Sequence, residues 1–184
     1  EKKQMSNKWF VFAVAAMLAG SAFAADKESG QVTPNLDKGT KVLEGAGVIN
    51  VMGDDVQIQL AYGQFVADGI EVALVAGLRD NDTYMSTELG GRAEYNLVFD
   101  SALVPFLGAG VVWADAAADD SNIDTDAAVF SVGGGAKYFI RDDVALAVNG
   151  SYLVATDDIF VDSEDAEVQD DEFRVLFSVR FYYD

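Results

Sequence analysis

The sequence contains no cysteine and no histidine. The first absence excludes disulfides, thiolate nucleophiles and thiolate-held zinc. The second removes the commonest metal ligand and general base, and with it the serine–histidine route to catalysis. Basic charge is scarce too, with 12 Lys and Arg against 31 Asp and Glu and a formal net charge of −19. Nucleic acid is not expected as a partner, because Lys and Arg supply most of the affinity for phosphate backbones. Beyond the N-terminus no apolar run approaches the roughly 20 residues that a membrane-spanning helix needs. If this chain crosses a membrane, it does so as strands.

The N-terminal run itself reads as an address. Met5-Ser6-Asn7-Lys8 precedes the apolar stretch Trp9 to Ala19, and Gly20-Ser21-Ala22-Phe23-Ala24 follows. A basic start, a short apolar core and small residues at Ala22 and Ala24 predict a signal peptide within residues 1–24, with translation from Met5 and cleavage after Ala24. The alternative, an uncleaved membrane anchor, would need a longer apolar stretch. Residues 25–38 are polar, contain Pro34 and show no period. They are expected to form a periplasmic lead into one domain covering 39–184.

From Thr40 onward, apolar and polar residues alternate with a period of two. The pattern predicts strands at about 41–52, 56–65, 70–78, 85–98, 103–113, 128–139, 144–154 and 173–183. One parity is apolar or aromatic, as in Val56, Ile58, Leu60 and Tyr62, or Phe173, Val175, Phe177, Val179 and Phe181. The other parity mixes glycines with charge: Glu44, Glu71, Glu88 and Glu94 against Arg92, Lys137, Arg174 and Arg180. Four acids against four bases suit a paired network inside a narrow lumen, since an unpaired internal charge is costly.

Short connectors (66–69, 99–102, 140–143) alternate with polar ones (53–55, 79–84, 114–127, 155–172), two of which are long. A meander of this kind puts all the short turns at one end. The expectation is an all-β, eight-stranded antiparallel up-and-down transmembrane barrel with short periplasmic turns and longer external loops, closed so that no strand edge meets lipid. Tyr62, Phe65, Tyr95, Trp113, Tyr138, Tyr152 and Tyr183 are candidates for interfacial girdles. A secreted, lipocalin-like binding barrel with the two faces exchanged is the soluble alternative.

The long connectors are strongly acidic. Asp119, Asp120, Asp124 and Asp126 offer hard oxygen ligands for weak Ca²⁺ or Mg²⁺ association, although the glycine and terminal glutamate of a calcium loop are missing. Ile159, Phe160 and Val161 interrupt the last acidic loop and are expected to extend the flanking hairpin rather than to form a contact patch.

The stretch Leu60-Ala61-Tyr62-Gly63-Gln64-Phe65-Val66-Ala67-Asp68-Gly69-Ile70-Glu71-Val72-Ala73-Leu74 pairs two alternating strands around a tight turn, and Pro105-Phe106-Leu107-Gly108-Ala109-Gly110 is a second match in kind. In these the sequence resembles the small eight-stranded outer-membrane barrels, similar to the OmpA barrel domain and OmpX, within the broad outer membrane protein beta-barrel domain family. The resemblance covers residues 39 to 184. It implies a monomer in the outer membrane of a Gram-negative-type bacterium, in contact with lipid and lipopolysaccharide. It also implies that the C-terminal strand, through Phe173, Phe177, Phe181 and Tyr183, is a signal to the outer-membrane assembly machinery. The function expected is non-enzymatic and cofactor-free, a structural or surface-interaction role with a plugged lumen. A narrow, porin-like ion pore is the alternative.

Overall fold

A computed structural model describes residues 32–50, 55–80, 84–99, 101–118, 124–161 and 168–184. The predicted signal segment and residues 25–31 lie outside that set. Eight long strands, β1 (Lys41–Asn50), β2 (Asp55–Ala67), β3 (Ile70–Asp80), β4 (Tyr84–Asn96), β5 (Leu103–Ala118), β6 (Asp124–Arg141), β7 (Val144–Ala155) and β10 (Asp171–Tyr183), form one closed barrel. Each is antiparallel to its neighbours, and β1 closes the circuit by pairing with both β2 and β10. Two short strands, β8 (Phe160–Val161) and β9 (Val168–Gln169), make a separate hairpin between β7 and β10.

Alternation decides which face each residue takes, and the apolar parity lies outside. Leu74 is 70% exposed, Leu89 67% and Phe173 68%. Soluble monomers rarely leave apolar patches of more than a few hundred Å² uncovered. The polar parity points inward, where eight strands leave an interior just wide enough for side chains to fill.

Two of the turns at one end are tight. Asp68 and Gly69 link β2 to β3, and Asp142 and Asp143 link β6 to β7, each beside a β-bulge. Gly69 takes φ 72°, where a side chain would be strained, and its carbonyl accepts from both the backbone N–H and the side-chain amide of Asn96.

Several boundaries differ from the sequence reading. The predicted connector 114–127 is largely strand, with Ala114 opposite Ala127, Asp115 opposite Asp126 and Ala117 opposite Asp124. Burial of Ala114, Ala116 and Ala127 continues the alternation past the last bulky residue. Phe65, proposed as a girdle aromatic, is buried inside: it shares the inward parity of Ala61 and Gly63. Tyr62, Tyr95, Trp113, Tyr138, Tyr152 and Tyr183 do face outward.

The lead segment is also more than a tether. Leu36 is buried against Val42, Phe65, Val104, Phe139, Ala145 and Tyr182 at the tight-turn end. At the opposite end Ile159 and Phe160 fold inward onto Ala114, Ala127, Val129, Leu153 and Ala155. β8 and β9 pair as a hairpin separate from the β7–β10 ladder, where an extension of that hairpin was expected, and Ile159 and Phe160 cap the mouth with apolar side chains.

Candidate functional site

All eight charged residues picked out by their parity lie in the lumen, in two groups. Nearer the tight turns, three acids meet three bases contributed by five strands. Arg180 reaches Glu94 at 2.6 Å, Glu44 at 3.2 Å and Glu71 at 3.6 Å. Lys137 sits 2.8 Å from Glu94 and 3.2 Å from Glu71. Arg92 pairs with Glu44, with Glu94 at 3.1 Å and with Glu71 at 3.4 Å. Each carboxylate thus serves at least two cations, which offsets the desolvation that makes isolated buried pairs unprofitable. Arg180 and Lys137 are both fully buried.

The second group lies toward the other end. Arg174 donates to Glu88 at 3.0 Å and to Glu172 at 3.0 Å, and Arg79 donates to Glu172 at 3.1 Å. Arg79 and Glu172 were assigned to connectors because they are charged and lie at strand ends. Their parity was the missed signal: Arg79 continues Glu71, Ala73, Val75 and Gly77, and Glu172 sits two places before Arg174. Including them keeps the lumen balanced. Phe106 escaped notice for the opposite reason, being apolar on the polar face. Its ring lies 4.9 Å from Lys137 Nζ and 5.1 Å from Arg180 Cζ, supplying a cation–π surface.

Glycines provide the room for these long side chains. A Cβ at Gly77 would come within 3.2 Å of Glu88 Oε2, and one at Gly63 within 3.1 Å of Glu71 Oε1. A Cβ at Gly108 would crowd Glu94 Cγ at 3.3 Å. Between the charge groups remains a cavity of about 70 Å³ walled by Arg92, Arg174, Gln59, Ser131, Asn149 and Ser151. That is room for a few water molecules.

The other predicted sites stay apart from the lumen. Phe173, Phe177, Phe181 and Tyr183 lie on the outward face of β10. Of the acidic cation candidates, Asp119 and Asp120 lie outside the described residues, Asp124 is known by its backbone pairing alone, and Asp126 is exposed opposite Asp115. Among the described residues no group of three or more His, Cys, Asp or Glu is placed to hold a metal ion.

A closed eight-stranded antiparallel barrel with ion pairs inside and apolar side chains outside defines the class: a barrel with the reverse of a soluble protein's polarity. The chain belongs to the outer membrane protein beta-barrel domain family, which it matches over residues 10–181. It is similar to the N-terminal beta-barrel domain of Pseudomonas aeruginosa OprF, with TM-score 0.60 and 15% identity over 79% of this chain and 98% of that one. Neisserial surface protein A is similar at TM-score 0.56 and 16% identity, covering 78% of this chain and 95% of its own. A de novo designed transmembrane beta-barrel matches at TM-score 0.50 and 16% identity, covering 80% and 98%. At such identities the likeness is one of fold. No curated protein sequence matches the chain.

Proposed function

We propose that this protein is a non-enzymatic barrel spanning the outer membrane, in the manner of the OmpA barrel domain and OmpX, with a structural or surface-interaction role and a lumen plugged by its own ion pairs. The observation that carries this reading is the pairing of two facts: an apolar outside with no protein cover, and an inside whose charges neutralise one another. Lipid and lipopolysaccharide are the partners of the outer face. The outward aromatics of β10 are the assembly signal. Acidic external loops attract divalent cations weakly.

A narrow ion pore is the second reading, favoured by the polar cavity between the charge groups. Stable openings in planar bilayers would support it, whereas absence of conductance supports the plug. The primary test is gel migration of the mature protein from isolated outer membranes, boiled and unboiled. A heat-dependent shift, with the protein confined to the detergent-extracted fraction, is the expected result. A detergent-free soluble fraction with no shift would overturn the membrane reading and return attention to a soluble binding barrel.

A further inference from the structure

We propose that residues 32–40 form a releasable seal across the tight-turn mouth of the barrel. The seal is anchored on two opposite hairpins and plugged in the middle by Leu36.

The anchoring is specific at both ends. Thr33 N–H donates to Asp142 Oδ1 at 2.8 Å and Asn35 N–H to the Asp142 carbonyl at 3.4 Å, both on the β6–β7 turn. Lys38 N–H donates to Asp68 Oδ1 at 3.0 Å and Gly69 N–H to the Leu36 carbonyl at 3.0 Å, both on the β2–β3 turn. In the circuit β1-β10-β7-β6-β5-β4-β3-β2 those two hairpins stand half a turn apart. The segment therefore crosses the mouth along a diameter. It then joins the wall through Gly39 N–H to the Phe65 carbonyl and Phe65 N–H to the Thr40 carbonyl, each 2.8 Å.

Leu36 lies between the anchors and fills the opening from outside the charge cluster. The strap adds no strand to the sheet. Its attachments are a few hydrogen bonds, several to exposed aspartates, and the burial of Leu36 and Thr40 with Val32 packed beside them. Such a segment opens far more readily than the ladders it crosses. Both turn aspartates direct a carboxylate oxygen toward the strap, Asp142 to Thr33 N–H and Asp68 to Lys38 N–H.

The inference rests on the reading of the lumen as closed, and the test separates the two. The chain has no cysteine, so a single introduced thiol reports alone. Ala145→Cys places it under Leu36, and Ser151→Cys places it in the cavity beyond the charge cluster. Each is treated with a charged methanethiosulfonate in the detergent-solubilised mature barrel. The same is done with Leu36→Asp, and separately with Asp68→Ala and Asp142→Ala together, which removes only exposed carboxylates and keeps the test open if Leu36→Asp fails to fold. Unboiled gel migration verifies the barrel in every case.

Modification at Ala145→Cys is expected to be slow with the strap native and to accelerate on the order of tenfold or more when it is released. Ser151→Cys is expected to stay slow throughout. Equal rates at Ala145→Cys with and without the strap changes would overturn the seal. Fast modification at Ser151→Cys in the otherwise native chain would overturn the closed lumen instead, while the Ala145→Cys comparison still decides the strap.

Discussion

Arg180 is held by carboxylates from three strands and lies beside the Phe106 ring. Replacing it with Met keeps the length and removes the charge, leaving Glu44 and Glu94 short of a partner in a water-poor interior. The expected cost of Arg180→Met is about 3–5 kcal/mol, read as a lower urea midpoint in detergent. Arg180→Lys should recover only part of it, because an ammonium cannot reproduce the paired donors that reach Glu94 at 2.6 and 2.9 Å. Raising salt from about 0.1 to about 1 M should leave the native midpoint nearly unchanged, since buried pairs are screened far less than surface ones. Gly77→Val probes the space rather than the charge. Its side chain would displace Glu88 from Arg174, costing about 1–3 kcal/mol by the same measurement.

At the scale of the element, alternation carried most of the information. Each of the eight strands overlaps its predicted range, and the eight charged residues chosen by parity all face the lumen. Strand ends were harder to read, because charge at an end looks like a loop although parity continues through it. Arg79 and Glu172 were lost this way, and the alanines of β5 hid the extension of that strand. The strap was illegible for another reason: Leu36 is a single apolar residue in a segment without period, and its pocket is assembled from distant strands. Phe65 shows the limit of reading side-chain type before parity. Turn chemistry was more transparent. Gly69→Val forces a branched residue to φ 72°, with an expected loss of about 1–2 kcal/mol in the urea midpoint.

For the whole molecule, stability depends on the solvent around it. Among the described residues none covers the outward leucines; in the proposed membrane setting lipid or detergent covers them, each fully covered side chain contributing about 1.5–3 kcal/mol. An outward charge inverts that contribution: Leu74→Arg is expected to cost about 2–4 kcal/mol if placed near the bilayer midplane, measured by refolding into vesicles. The Leu36 pocket adds a constraint on time. Its walls come from β1, β2, β5, β6, β7 and β10, so it cannot exist until the first and last strands have met. The strap, made before any strand of the barrel, is therefore the last part of it to find its place. Its docking is a chemical timestamp that the circle has closed.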